Sequence, residues 1–187
     1  MASQQNTNGK SDVRAIRAGF GIFLTSMSVV IVTLIAARYL TAGGAVGTWS
    51  QWLGAITTLF MLISGFLARA GRTAILARGD NQTMQSRIRL SFWFGVLTVA
   101  SIFLQWVLLA HQGVPITAPT AEVYYILTGI WMLLALVSGF GLIASAIRGR
   151  RIGGYTEADN WNVEGSTYFW HFTVVAWLVL YVVLYFL

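Results

Sequence analysis

Residues 164–187 read EGSTYFWHFTVVAWLVLYVVLYFL, a carboxylate followed by an almost unbroken apolar run. An α-helix needs about 20 predominantly apolar residues to cross the hydrocarbon of a bilayer, and this run is long enough to do so. Its apolar residues are continuous rather than alternating, so the strands of a transmembrane barrel are a poor interpretation. The stretch therefore predicts a membrane-spanning helix whose first turns carry two polar side chains, Glu164 and His171.

The rest of the chain has the same character. Of its 187 residues 57% are hydrophobic and 10% charged, and the mean hydropathy is +0.69, far from the values of soluble domains. We predict an all-α integral membrane protein, a five-transmembrane-helix bundle. The predicted spans are residues 19–40, 49–68, 89–110, 122–147 and 165–187.

The chain divides into a polar tail, residues 1–18, and a single membrane domain, residues 19–187. The tail is polar enough to be expected to be partly disordered. It lacks the apolar core and the small-residue cleavage site of a removable signal peptide, so the first span is expected to be an uncleaved anchor.

Basic residues are segregated between the two ends of the predicted spans. If the N-terminus is cytoplasmic, all of the 12 basic residues except Arg38 fall on the cytoplasmic side. They are Lys10, Arg14 and Arg17 in the tail, Arg69, Arg72, Arg78, Arg87 and Arg89 between spans 2 and 3, and Arg148, Arg150 and Arg151 between spans 4 and 5. The positive-inside rule then predicts a cytoplasmic N-terminus and a C-terminus on the outer, periplasmic side. Short basic loops beside anionic headgroups explain the net charge of +6, and no nucleic-acid partner is expected.

Few residues could carry redox or nucleophilic chemistry. The absence of cysteine excludes disulfides, thiolate metal sites and iron–sulfur clusters. A haem–copper centre with a second haem needs more histidines than the two in this chain, and no methionine forms a partnered arrangement with His171 for a single haem. No serine has the context of a nucleophile elbow. The residues predict a non-catalytic membrane subunit with no catalytic group and no metal site.

Glu164 and His171 are seven positions apart in the last span. Seven residues are almost two helical turns, so the side chains share one face and are separated along the axis by roughly 10 Å. That separation excludes a direct hydrogen bond but suits a lipid headgroup, a water chain or an arginine between them. An interfacial histidine beside Trp170 in an aromatic belt is an equally open interpretation.

Other polar and small residues in the spans predict helix packing. Gln105 is expected to make an interhelical hydrogen bond, and Ser138, Gly141 and Ser145 recur at helical spacing as a close-packing face against a helix of this chain or of a partner. The aromatic residues near the outer span ends are expected to form an interfacial belt. They are Trp49, Trp52, Trp106, Tyr124, Tyr125, Tyr181 and Tyr185.

The closing stretch resembles the last segment of subunit III of the haem–copper terminal oxidases, the cytochrome c oxidase subunit III family. In that family a glutamate, three small residues, two aromatic residues and Trp-His-Phe lead into a final helix with a further tryptophan, here Trp177. Weaker similarities follow in order in GIFLTSMSVVIVTLIAARYL, FLQWVLL, YYILTGIWMLLALVSG and RGRRIGGYTEADNWNVEG. The resemblance covers residues 19–187 and corresponds to the short five-helix bacterial form.

The chain departs from the family pattern at four polar positions. Met27 stands where the family usually has a buried glutamate, and Trp131 and Leu134 stand where it has histidines. Thr173 replaces the aspartate that follows His-Phe. Roles that depend on those ionisable groups are not expected in this chain.

The resemblance implies a non-redox accessory subunit in a multi-pass topology in the bacterial cell (inner or plasma) membrane. It implies catalytic subunit I and subunit II as partners, with haem and copper in those partners and no cofactor in this chain; membership of a larger respiratory supercomplex stays open. The implied role is to support assembly, stability, phospholipid binding and proton uptake during electron transfer from cytochrome c to oxygen.

Glu164 and His171, supported by Trp170, are expected to orient a lipid headgroup or a loop arginine. The candidate arginines are Arg148, Arg150 and Arg151. Two alternatives remain: a subunit-III-like component of a quinol oxidase or nitric oxide reductase, and a small transporter that works alone.

Overall fold

The computed structural model describes residues 2–43, 47, 49–155 and 161–187, and the side chains of these residues from 14 onward. Residues 156–160, which belong to the basic Gly-Tyr-Thr segment named above, and the side chain of Lys10 lie outside the described residues. The helices are α1 (Ala2–Ala42), α2 (Gln51–Arg78), α3 (Asn81–His111), α4 (Pro119–Arg151) and α5 (Trp161–Tyr185). All five are long and apolar enough to cross a membrane, which confirms the predicted all-α five-helix class.

The helices continue past the apolar blocks from which they were predicted. α1 begins in the polar tail at Ala2, and the partial disorder expected of that tail stays a prediction. α2 runs to Arg78 and α3 starts at Asn81, so the arginines expected in a loop between these spans lie on helical extensions. The placement of these arginines in a loop was wrong, because α2 continues through Gly71 and ends only where Gly79 adopts a positive φ.

The turn between α2 and α3 consists of Gly79 and Asp80. Gly79 has φ 61°, and its N–H and that of Asp80 bond to carbonyls of the last turn of α2, as in a glycine C-cap. The carboxylate of Asp80 accepts a 2.9 Å bond from the Thr83 N–H and caps α3. Hydrogen bonds from Thr83 hold the pKa of Asp80 below its usual value, so the cap stays ionised. This short turn makes α2 and α3 a long antiparallel pair.

Small residues allow α2 and α3 to approach closely. The hydroxyl of Ser64 donates to the Ser91 carbonyl at 2.7 Å, and that of Ser91 donates to the Ser64 carbonyl at 2.8 Å. The indole N–H of Trp170, on α5, donates to the Ser64 hydroxyl at 2.9 Å, and its ring lies over Gly95 of α3. Small and hydroxyl-bearing residues are the usual means by which membrane helices pack, since there is no hydrophobic driving force between them in lipid.

α1 lies on the outside of the bundle that α2–α5 form. Among the described residues its backbone packs against α4 and α5 and not against α2 or α3. None of its most apolar 18-residue window is buried, compared with 28–50% in the other four helices. The end of the bundle that carries Arg17, Arg72 and Arg148 is called the arginine-rich end below.

Substitution of two helical glycines tests this packing. Replacing Gly95 by Ala puts a Cβ 2.5 Å from the Trp170 ring, whereas a Cβ at Gly141 meets nothing within 4 Å. We expect Gly95→Ala to destabilise the fold by about 1–3 kcal/mol through overpacking. Gly141→Ala should be neutral or stabilising by up to about 1 kcal/mol, because alanine loses less backbone entropy in a helix.

The measurement is thermal unfolding of both variants in the same detergent, followed by circular dichroism. A Gly95→Ala protein as stable as the Gly141→Ala control would contradict the close approach of α3 to Trp170.

Candidate functional site

Glu164 joins three helices at the arginine-rich end. Its side chain is 11% exposed in the first turn of α5. One carboxylate oxygen accepts a 2.7 Å bond from Nη2 of Arg17, on α1, and the other accepts a 3.0 Å bond from Nη2 of Arg72, on α2. The hydroxyl of Tyr168 lies 3.4 Å from the second oxygen and accepts a 2.8 Å bond from Arg72. One carboxylate thus neutralises one of two guanidinium charges, and the cluster keeps a net positive charge.

The two arginines of this cluster differ in exposure. The Arg72 guanidinium lies 4.5 Å from the centroid of the Tyr168 ring, and its side chain is 27% exposed. The Arg17 guanidinium lies 5.5 Å from the Trp161 centroid, and its side chain is 54% exposed. Both have the geometry of a cation–π contact. Arg72 is the inner partner of Glu164, and Arg17 faces outward.

These partners differ from the ones expected from the sequence. Arg148, Arg150 and Arg151 were the candidate arginines for Glu164, as the alternative to a lipid headgroup, but the carboxylate binds Arg17 and Arg72. The physical reason is that α2 continues as a helix to Arg78, which carries Arg72 alongside the start of α5. Arg148 instead borders a cavity, and Arg150 and Arg151 are exposed in the last turn of α4. A lipid headgroup near Glu164 stays a prediction.

His171 does not share a partner with Glu164 within the described part of the chain. The ring is half-buried, and Nδ1 lies 2.7 Å from the Thr167 carbonyl of its own helix. Trp170 is 2% exposed and points into the core toward Ser64 rather than toward an interfacial belt. The shared headgroup or water chain between Glu164 and His171 stays a prediction.

A cavity of about 500 Å³ opens between α1, α4 and α5 at the arginine-rich end. Small residues of α4 and α5 face aromatic rings across it, and Arg148 and Asn162 supply polar groups. The lining residues are Phe20, Gly141, Ala144, Ser145, Arg148, Trp161, Asn162, Gly165, Ser166 and Phe169. A second cavity of about 260 Å³ lies beside the Glu164 cluster, and Phe20 and Trp161 border both.

The residues predicted as a close-packing face of α4 have different surroundings. Ser138 is buried and accepts a 2.9 Å bond from the Thr173 hydroxyl of α5. Ser145 is buried and bonds to the carbonyl of Leu142 in its own helix, while Gly141 faces the open cavity. Contact of Gly141 with a helix of a partner stays a prediction.

Gln105 is the centre of a hydrogen-bonded group at the opposite end of the bundle. Its Nε2 donates to the Thr57 hydroxyl of α2 at 3.2 Å, and its Oε1 accepts from the Tyr124 hydroxyl of α4 at 2.9 Å. The Tyr185 hydroxyl of α5 donates to the same oxygen. This side chain of α3 therefore connects to all three other helices of the α2–α5 bundle.

Several aromatic residues predicted as an interfacial belt are core residues instead. Trp49, Tyr124 and Tyr185 are 8%, 0% and 1% exposed, and the Trp49 ring stacks on Tyr124 with centroids 4.5 Å apart. The belt interpretation was wrong for these three because their polar atoms find internal partners, Gln105 for the tyrosines and the Leu184 carbonyl for Trp49, which removes the penalty of burial. Trp52, at 80% exposed, does lie on the surface.

Two of the positions that depart from the family pattern meet in the middle of the bundle. The Trp131 indole donates to the Thr173 carbonyl at 3.0 Å and packs against the Trp177 ring with centroids 4.8 Å apart. Trp177 in turn donates to the Thr58 hydroxyl at 3.0 Å. The described residues bring together no group of three or more His, Cys, Asp or Glu side chains. Hydrogen-bonded indole and hydroxyl groups thus occupy this part of the bundle.

Removal of Glu164 should cost more than removal of Arg17. Glu164→Ala leaves the inner guanidinium of Arg72 without its carboxylate, an expected loss of about 1–3 kcal/mol. Arg17→Ala removes an exposed partner and should cost less than about 1 kcal/mol, because Arg72 still neutralises Glu164.

Thermal unfolding of both variants in detergent measures the difference, with Arg14→Ala, one turn earlier on α1, as the matched control. Equal losses for Glu164→Ala and Arg17→Ala would contradict the division into an inner and an outer arginine.

Comparison with known proteins places these features in a family context. No family model matches the chain. Cytochrome c oxidase subunit 3 of Synechocystis sp. is 28% identical over 96% of this chain and 78% of that protein. Cytochrome c oxidase subunit 3 of Thermostichus vulcanus is 26% identical over 90% of this chain and 86% of that protein. A Nocardia farcinica protein named "Probable cytochrome c oxidase subunit 3" is 23% identical over 99% of this chain and 94% of its own length.

A protein of another class also matches in part. Thiosulfate transporter TsuA of Spirochaeta thermophila is 26% identical over 62% of this chain, but the match covers only 31% of that protein. The three subunit 3 matches cover most of this chain and most of each relative. They confirm the resemblance predicted from EGSTYFWHF and support the cytochrome c oxidase subunit III family as the family of this chain.

Proposed function

We propose that the chain is the non-redox subunit III of a respiratory haem–copper oxidase in a bacterial plasma membrane. It packs beside catalytic subunit I, with subunit II in the same complex, and supports assembly, stability and proton uptake while electrons pass from cytochrome c to oxygen. Haem and copper belong to the partners. The N-terminus is cytoplasmic, which places the arginine-rich end at the cytoplasmic headgroups.

The observation that carries the proposal is the Glu164 cluster beside the cavity of about 260 Å³, which adjoins the cavity of about 500 Å³ at Phe20 and Trp161. Described interior side chains such as Gln105, Trp131 and Thr173 are held in hydrogen bonds to other helices through amide, indole and hydroxyl groups, which are not haem ligands. The subunit 3 relatives span most of the chain and support an oxidase role. Structural support of a catalytic partner is the role that fits these groups.

Phospholipid binding is the specific activity proposed for the cavity. Its volume lies in the range of ligand-binding cavities, and small and aromatic residues provide an apolar lining for an acyl chain. Arg148 at its border offers a cation to a phosphate, and Arg17 lies exposed beside the neighbouring cavity. A phospholipid with its headgroup among these arginines and a chain between α1 and α4 would fill the space that the helices leave.

Glu164 and His171 contribute differently to this role. Glu164 fixes the arginines at the level of the headgroups, where its single negative charge leaves the cluster attractive to anionic lipid. His171, held by the Thr167 carbonyl, presents its second nitrogen one and a half to two turns deeper. Together they stabilise the cytoplasmic surface near which the partner subunit takes up protons.

Co-purification tests the proposed complex. A tagged full-length chain, extracted in mild detergent, should bring down a haem-containing catalytic subunit and subunit II. The measurements are mass spectrometry, a reduced-minus-oxidised haem spectrum, and oxygen consumption with cytochrome c.

Other results would support the alternatives. Turnover with quinol, or reduction of nitric oxide, would indicate the corresponding oxidase or reductase instead. A chain that purifies without haem or partners and moves thiosulfate across vesicles would contradict the oxidase role and favour the transporter class that the partial TsuA match represents.

A substitution tests lipid binding in the cavity. Arg148→Gln should lower the affinity for anionic phospholipid about fivefold, since one basic residue near the membrane surface contributes about 1 kcal/mol. Arg89→Gln is the matched control, because Arg89 is an exposed arginine of α3 that does not line the cavity. Bound phospholipid is counted by native mass spectrometry after washing in lipid-free detergent. Equal retention in both variants would show that Arg148 does not hold a headgroup.

A further inference from the structure

The half of α1 at the arginine-rich end has a narrow attachment to the bundle. Arg17 binds Glu164, Phe20 meets Trp161 and Phe169 edge to face with centroids 5.9 and 6.4 Å apart, and Phe23 meets Phe169 at 5.5 Å. The two cavities of about 500 and 260 Å³ lie along this line of contacts. Residues 14–24 of α1 therefore contact the bundle along one narrow line of side chains, with the two cavities beside it.

The other half of α1 is held more firmly. Ile31 and Leu34 pack against the core, and Arg38 is 2% exposed. The gap between Leu34 and Trp131 is only about 20 Å³, too small for more than one water. A cavity of about 200 Å³ does lie nearer the end of α1, beside Arg38 and Thr41, so the firmer attachment of this half rests on the burial of Ile31, Leu34 and Arg38. α1 thus has one loosely attached half and one anchored half.

A run of hydroxyl residues separates the two halves. The hydroxyls of Thr25, Ser26 and Ser28 donate to the carbonyls four residues earlier at 3.0, 3.0 and 2.9 Å. Such back-bonding competes with the backbone hydrogen bonds and often bends helices. Residues 25–28 are therefore the part of α1 best suited to act as a hinge.

We propose that residues 14–24 of α1 form a lateral gate over the cavity of about 500 Å³. The gate turns about residues 25–28, and the Arg17–Glu164 ion pair is its latch. In the open state an acyl chain can pass between α1 and α4 into the cavity. The lipid in this statement rests on the proposed function, whereas the motion of α1 does not.

Opening this latch leaves no buried charge without a partner. Arg17 is 54% exposed and can move into water or headgroups, while Glu164 keeps its 3.0 Å bond to Arg72. The cavity wall opposite α1 carries the small residues Gly141, Ala144, Gly165 and Ser166. An ion pair with one exposed member contributes little to stability, and the remaining described contacts of the gate are the ring contacts of Phe20 and Phe23. Loss of the pair therefore shifts the balance toward the open state without unfolding the bundle.

Distance measurements between spin labels test the gate. The chain has no cysteine, so labels can be placed at Ala18→Cys on α1 and Ser86→Cys on α3 without removing native thiols; both positions are exposed. The full-length chain is studied in nanodiscs of phosphatidylethanolamine and phosphatidylglycerol by pulsed electron paramagnetic resonance. We expect a main distance in the parent protein and, in Arg17→Gln, an increase of about threefold or more in the population at longer distance.

Two controls make the outcome decisive. Arg14→Gln removes a neighbouring exposed arginine and should leave the distances unchanged, and labels at Ser86 and Val175, on α3 and α5, should report the same bundle in every variant. Identical Ala18–Ser86 distances in Arg17→Gln and the parent, with an unchanged Ser86–Val175 distance, would overturn the gate. A gate that opens while Arg148→Gln retains its phospholipid would contradict the lipid-binding function and leave the motion of α1 intact.

Discussion

The carboxylate of Glu164 joins α1, α2 and α5 at the arginine-rich end. Its two oxygens are occupied by Arg17 and Arg72, which belong to helices far apart in sequence. Without it, the guanidinium groups of Arg17 and Arg72 would lie near the start of α5 with no counter-ion. Arg72, the inner one, has little access to water. Buried or half-buried charges persist only when paired and hydrogen-bonded, so this side chain decides how α1, α2 and α5 come together.

The interior of α2–α5 follows the same rule with neutral groups. The indoles of Trp170, Trp177 and Trp131 donate to hydroxyl or carbonyl oxygens on other helices. The side-chain oxygen of Gln105 accepts hydrogen bonds from two tyrosine hydroxyls. In hydrocarbon an unmade hydrogen bond has no water to replace it, which makes such pairs a constraint on register and rotation of the helices. Membrane hydrogen bonds of this kind contribute about 0.6 kcal/mol each in measured cases, so their main effect is to select one arrangement.

α1 packs on the outside of the α2–α5 bundle and borders the cavity on which the proposed function rests. Its anchored half packs on α4, and its loosely attached half leaves space at the level where headgroups are proposed to lie. The ion pair of Arg17 and Glu164 borders the cavity of about 260 Å³, which shares Phe20 and Trp161 with the cavity proposed for lipid. The proposed support of an oxidase partner, the proposed lipid binding and the proposed gate all rest on this one arrangement of charge and space.

The sequence by itself determined the helical class, the number of spans and the family resemblance. Apolar runs such as residues 165–187 can satisfy their backbone in lipid only as helices, and the order of polar and aromatic residues around Glu164 is local information that a single sequence displays. It also determined that Gln105, a lone amide in an apolar run, needs a partner. The positions of the arginines predicted that one end of the bundle is basic. In the structure Arg17, Arg72 and Arg148 lie at the same end.

Only the tertiary structure decided which side chains meet. Arg72 rather than Arg148 pairs with Glu164, and Tyr124 and Tyr185 turn inward to Gln105 rather than to the interface. These contacts join residues 19–92 positions apart, in a bundle whose helix rotations no local pattern encodes. The cavity beneath α1 likewise depends on how the small residues of α4 and α5 are placed relative to α1. Charge and hydropathy fix which groups need partners, and packing in three dimensions fixes which partners they find.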